Sequence, residues 1–310
     1  MARIEQVEIT DRVQWMKLRG QDVTASVAGC LLGVHPYQTA YGLYLLKSGL
    51  VGEDPEETPP MKRGRLLEPV AFQMIREDKP GWTFQNYPVG VYFRDPAARL
   101  GATPDLIGRD DKDRKCVVQF KTVEPSVFRR TWKSETGEVE PPLWVICQGL
   151  IEAHLTGSEA AYVAPMVVGF GIEMPVIEIP LHDGIITRIK SEIGTFWKRI
   201  EDKSPPDPDY CRDGALIARL HPKDDGTTID LSGSNRFAEL LSVREENKGA
   251  ISEAKERCDA AEAEIKSMIG DHTYAMAPDG TLVSWKTINR KAYEVAATTY
   301  RQLGTKKLKT

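Results

Sequence analysis

Between Thr24 and Gly169 the apolar positions of the chain switch between a spacing of three or four and a spacing of two, the mark of helices interleaved with strands. Residues 24–33 open on a hydroxyl and close on Gly33, as a capped helix does, and the turn after His35 leads into a second helix over 40–49. Residues 61–77 predict a third helix, with Leu67, Val70, Ala71, Met74 and Ile75 on its buried face. Strand-like runs follow at 82–93, 99–108 and 115–123, the last two joined by a charged turn into a hairpin. A helix over 143–157 and a further strand over 160–169 complete the pattern. Its fold class is α/β, a mixed central sheet flanked by helices.

Residues 203–214 carry three prolines and several aspartates and cannot continue a helix, and 221–235 reads as another polar connector. From Arg236 the text is helical. Ile251, Ala254, Cys258, Ala261, Ile265 and Met268 form a seam that Gly270 ends, and a hairpin follows around Pro278, Asp279 and Gly280. The division expected is a first domain over 1–210, a linker over 211–235, and a helix with a hairpin over 236–310. The seam is too short and too rich in alanine to dimerise, and is expected to pack on its own hairpin.

The chain has 310 residues, with 41 basic against 45 acidic side chains and a net charge of -4, so bulk charge does not make it a polyanion binder. Any nucleic-acid contact must be local. Three basic patches qualify: Lys62, Arg63 and Arg65; Arg129, Arg130 and Lys133; and the tail Arg301, Lys306, Lys307 and Lys309. Mean hydropathy is -0.36 and no long uncharged apolar run occurs, so neither a membrane span nor a secretory leader is expected, and the cytoplasm is the expected compartment. Five scattered cysteines without a C-x-x-C pair argue against a disulfide framework or a zinc site, and are expected reduced and structural.

Strand periodicity puts Gln119 and Lys121 on one face of 115–123, with Val118, Phe120 and Thr122 on the other. A lysine inside an apolar strand is costly to bury and needs a partner or a task. On the other arm of the hairpin, Asp105 follows Pro104 at a strand bend, within reach of that face. Oxygen ligands for a hard cation, with a lysine to position the attacking water, make the layout of a magnesium-dependent phosphodiester nuclease. These three residues alone fit better a turn and an edge strand whose lysine reaches solvent.

More residues bear on the choice. W-x-K-L-R and T-A-S lie in 15–26, G-V-H-P-Y-Q-T in 33–39, K-R-G-R-L-L-E-P in 62–69 and A-T-P-D in 102–105. V-V-Q-F-K-T occupies 117–122, and Gln148 precedes L-T-G at 155–157. In this order the motifs resemble the YqaJ-like viral recombinase family, the phage alkaline exonucleases of the lambda exonuclease type within the PD-(D/E)XK nuclease superfamily. The resemblance runs from Trp15 to about Tyr210, since 196–209 looks like the family's exit from the nuclease domain.

The resemblance implies a restriction-endonuclease-like core in which Asp105 is the central metal ligand, Lys121 the catalytic lysine, Glu68 a further acidic member of the metal cluster and Gln148 a supporting amide. Arg19 and Ser26, with Thr103 near them, match positions that hold a 5′-phosphate, a task suited to a guanidinium and a hydroxyl. Without the family, Ser26 reads as a helix cap, a reading that suits Thr24 better. At position 119 the family has Glu and this chain has Gln119, an amide of the same shape that brings no charge. Either a natural Q-x-K variant recruits another acidic residue, or a deliberate near-isosteric substitution was made to bind DNA without cutting it. The otherwise intact set favours the second.

By resemblance the activity is Mg2+-dependent exonuclease digestion, with Mn2+ as a substitute, of the 5′ strand at double-stranded DNA ends in phage-type recombination. A homotrimeric ring and a single-strand annealing protein are the implied partners, and a membrane is not. The alternative is an end-binding module with a nuclease fold.

Overall fold

In the computed structural model the residues described are 3–52, 57–85, 87–88, 90–292 and 297–306; Lys307 and Lys309 of the basic tail lie outside them. The chain divides into two units, residues 1–221 and 222–310. The first begins with β1 (Glu5–Glu8), α1 (Arg12–Gln21), β2 (Val23–Thr24) and α2 (Ala25–Ala28), the last continued by a 3-10 turn to Gly33. Next come α3 (Ala40–Lys47) and α4 (Pro59–Asp78), then β3 (Thr83–Phe84), β4 (Val91–Asp95), β5 (Leu100–Ala102), β6 (Leu106–Arg109) and β7 (Lys115–Val123). After these come α5 (Pro125–Thr131), α6 (Leu143–Thr156), β8 (Ala160–Val168), β9 (Ile172–Glu173), β10 (Ile177–Ile179), α7 (Asp183–Glu201) and α8 (Gly214–Leu220).

The larger sheet runs β10-β8-β7-β6-β3, with β9 on β8, and is mixed: β6 and β7 are antiparallel, β7 and β8 parallel. A smaller sheet runs β1-β4-β5-β2. This is a mixed α/β core, as the sequence predicts. Two expected strands are divided, however, the run over 82–93 giving β3 to the larger sheet and β4 to the smaller. Residues 99–108 split at Thr103–Asp105, where Pro104 offers no ladder N–H, so β5 joins the small sheet and β6 the large one. The division leaves Asp105 at the junction.

Strand β7 is apolar on both faces and so anchors the site. Val117 and Val123 pack with Val145, Leu150 and Ile151 of α6, while Cys116, Val118 and Phe120 pack with Ala71 and Ile75 of α4. Each such aliphatic contributes about 1.5–3 kcal/mol when fully buried. Period two therefore sends Gln119 and Lys121 toward α6. Of the face expected on α4, Ala71 and Ile75 are fully buried and Val70 is exposed. Gly101 lies so close to Tyr92 that a Cβ would stand 2.0 Å from the phenol oxygen, and that hydroxyl donates to the buried Asp22.

Residues 211–221, within the expected linker, are tied to the first unit. Asp213 accepts from Thr39 Oγ1 at 2.5 Å, and Arg212 donates to the carbonyls of His35 and Gln38. In the second unit α9 (Asn235–Ile269) follows its N-cap Ser234, and β11 (Tyr274–Met276) pairs with β12 (Leu282–Ser284). The seam is not packed on this hairpin as expected: Ile251, Ile265 and Met268 are exposed. All five cysteines are free. Cys30, Cys116 and Cys147 are buried, whereas Cys211 and Cys258 are exposed and so do not meet the structural expectation. No helix among the described residues is long and apolar enough to cross a membrane.

Candidate active site

Five of the sequence-predicted residues converge where β7 passes between α4 and α6. Asp105 accepts the backbone N–H of Phe120 at 2.8 Å and an amide N–H of Gln119. Gln119 Oε1 in turn accepts from Gln148 Nε2 at 2.5 Å, and Gln148 Oε1 accepts from Lys121 Nζ at 2.9 Å. The amides thus join the aspartate to the lysine. Glu68 lies in the body of α4, ten residues beyond its N-cap Thr58, and accepts from Tyr87 Oη at 3.2 Å. Glu68, Asp105, Gln119 and Lys121 share a cavity of ≈ 130 Å³ with Gly64 and Phe120 among its walls. A larger depression, ≈ 650 Å³, lies beside Asp95, Arg99 and Trp197 and holds none of these groups.

Burial dominates the electrostatics. It raises the Asp105 carboxyl above the usual range, opposed by the charge of Lys121 and reinforced by that of Glu68. It likewise raises Glu68 and lowers Lys121. Carboxylates crowded in a desolvated pocket resist ionisation, and a divalent cation relieves that resistance. The donors suit a hard oxygen-seeking ion: two carboxylates and the carbonyl of Gln119. The set is short of charge. Among the described residues no group of three or more His, Cys, Asp and Glu side chains is placed to hold a metal, and Gln119 turns its N–H rather than its carbonyl to Asp105.

Three groups in the neighbourhood escaped the sequence reading. Tyr87 bonds Glu68, and the Trp144 ring centroid lies 5.5 Å from Lys121 Nζ. Glu152, on α6, is 1% exposed and accepts from Gln148 Nε2 at 2.8 Å. The signal for Glu152 was present, as a lone carboxylate four residues after Gln148 on an apolar helix.

The proposed phosphate residues form two contacts. Arg19 stands 4.6 Å over the Trp15 ring, and Trp15 Nε1 donates to Thr103 Oγ1 at 3.1 Å. Ser26 Oγ lies 3.1 Å from Thr24 Oγ1, and Thr24, though at the N-cap of α2, makes no side-chain cap bond there. Strands β2 and β5 pair in parallel, Thr24 opposite Gly101, so Ser26 and Thr103 follow the ends of neighbouring strands.

Comparison with known families decides the relationship, for the model of the YqaJ-like viral recombinase domain matches residues 14–159. Those residues form a YqaJ-like viral recombinase domain. Among solved structures, an alkaline exonuclease from Laribacter hongkongensis is similar at 19% identity and a TM-score of 0.47, covering 66% of this chain and 98% of that one. A protein from Eubacterium rectale described as an exonuclease shares 10% identity at a TM-score of 0.43, covering 73% and 97%. The SOX protein of a SOX–DNA complex shares 11% identity at 0.38, covering 64% and 70%. The search of curated proteins found no match.

Proposed function

We propose that this YqaJ-like chain is a metal-dependent deoxyribonuclease that degrades the 5′ strand from double-stranded DNA ends and leaves a 3′ overhang for a single-strand annealing protein. The observation that carries this reading is the convergence of Asp105, Glu68, Gln119 and Lys121 on one cavity, with Gln148 bonded to Gln119 and Lys121 behind it. Asp105, Glu68 and the Gln119 carbonyl would hold Mg2+, or Mn2+ in its place, which when bound polarises the phosphodiester and acidifies water. Lys121, steadied by Gln148, orients the attacking water and stabilises charge on the phosphate. Arg19, Ser26 and Thr103 receive the 5′-phosphate. A homotrimeric ring in the host cytoplasm, basic only around its channel, reconciles a net charge of -4 with DNA binding.

Turnover is held down by Gln119, whose N–H occupies Asp105 Oδ2. That same contact favours the second reading, an end-binding module that does not cut. Nucleotide release from duplex ends in Mg2+ or Mn2+, stopped by a chelator, supports the nuclease; tight end binding with no release in either ion supports the module.

A further inference from the structure

Glu152 is a buried acid beside the site that this reading leaves without a task. It sits one helical turn beyond Gln148, is 1% exposed, and its Oε2 has no hydrogen-bond partner among the described residues. Native proteins rarely bury a carboxylate oxygen unpartnered, and such a group calls for an explanation. A single amide separates it from position 119: Gln148 Nε2 donates both to Gln119 Oε1 at 2.5 Å and to Glu152 Oε1 at 2.8 Å.

The charges define the relation between the two positions. With carboxylates at both, the N–H of Gln148 would stand between two acids, and four acids would surround one buried lysine. With amides at both, Lys121 would keep only Asp105 and Glu68 as counter-charges. Burial and the charge of Asp105 already raise Glu152, while Lys121 favours its ionised form. The pocket therefore accommodates one carboxylate between the two positions.

We propose that Glu152 supplies the carboxylate charge that Gln119 lacks, acting through Gln148 as a positioning residue for a divalent cation at Asp105 and Glu68. This rests on the metal-dependent reading above. Glu152 takes no place in the cation's shell, since it does not line the cavity. It holds Gln148 so that the carbonyl meets Lys121 and the N–H meets position 119.

Four full-length chains test the proposal: the native protein, Glu152→Gln, Gln119→Glu and the double variant. Mn2+ affinity is measured by titration calorimetry and metal-free stability by thermal unfolding, with circular dichroism to establish that each is folded. Gln at 152 keeps the volume and an acceptor oxygen for Gln148. Glu152→Gln is expected to weaken Mn2+ binding about tenfold or more in the native background, the lower end for a group behind the ligands. In the Gln119→Glu background the same change should cost less than about twofold, and should raise the metal-free melting temperature that Gln119→Glu lowers. An equal loss in both backgrounds, or no loss in the native one, overturns the proposal while leaving the nuclease reading intact. Failure of all four chains to bind Mn2+ overturns both.

Discussion

Lys121 Nζ donates to Gln148 Oε1 across 2.9 Å, tying a strand lysine in the sheet to a helix amide above it. Both residues are enclosed, so the bond fixes where the ammonium points. Gln148→Leu removes the acceptor and leaves Lys121, Gln119 and Glu152 each short of a partner. A buried polar group left unpaired costs about 1–3 kcal/mol, so unfolding should shift by at least that amount. Nuclease turnover should fall at least about hundredfold with the KM for DNA ends little changed. Steady-state kinetics beside thermal unfolding checks both.

End recognition is assigned to Arg19, Ser26 and Thr103. A 5′-phosphorylated duplex end should be degraded faster than a 5′-hydroxyl end, and Arg19→Ala should erase that preference more than it lowers overall binding. Matched substrates differing only in the 5′ group decide it. Equal rates on both ends in the native chain would remove the assignment.

The crowded carboxyls set a pH dependence of stability. Asp105, Glu68 and Glu152 all ionise above their ordinary values of 3.8 and 4.5, chiefly through burial. Between those ordinary values and the raised ones the folded state binds more protons than the unfolded chain, so stability falls as pH rises. Metal-free protein should lose melting temperature from about pH 5 to about pH 8, and Mn2+ should offset the loss at the upper end. Glu152→Gln should flatten the metal-free curve. Lys121, His35 and His154, lowered by burial, act in the opposite sense. The difference between the native and Glu152→Gln curves therefore carries the test, and a difference that does not change with pH would contradict a raised Glu152.

Assembly is assigned to the first unit. Because Arg212 and Asp213 are bonded to His35, Gln38 and Thr39, a sound truncation ends after His221 rather than earlier. Light scattering should give the same oligomer, a trimer, for the full and truncated chains. A trimer that becomes a monomer on truncation would make α9 and the hairpin the assembly element.

How far the sequence foretold this arrangement depends on the range of the interactions. The alternation over 115–123 is local, so the opposite faces of Val118 and Gln119 could be read directly, as could the bend that Pro104 imposes before Asp105. The division of 99–108 between two sheets could not, because it depends on β4 and β2 as partners. Glu152 stands out as a lone carboxylate on an apolar helix, but that it is buried follows only from the packing of α6 over β7. The tie between Thr39 and Asp213 spans 174 residues and left no local trace. On α9 the apolar seam was legible, but spacing says nothing of what covers it, and Ile251 and Met268 are exposed.

The central claim is that these residues form a metal-dependent nuclease site weakened at position 119. Its most direct test is the rate of nucleotide release from 5′-phosphorylated duplex ends in Mg2+, compared between the native chain and Gln119→Glu. The account predicts hydrolysis that a chelator abolishes and a rise of at least about hundredfold in the variant, lost again when Asp105→Ala is added to a folded protein. Equal rates in the native and Gln119→Glu chains, or no cleavage by either in Mg2+ or Mn2+, would contradict it.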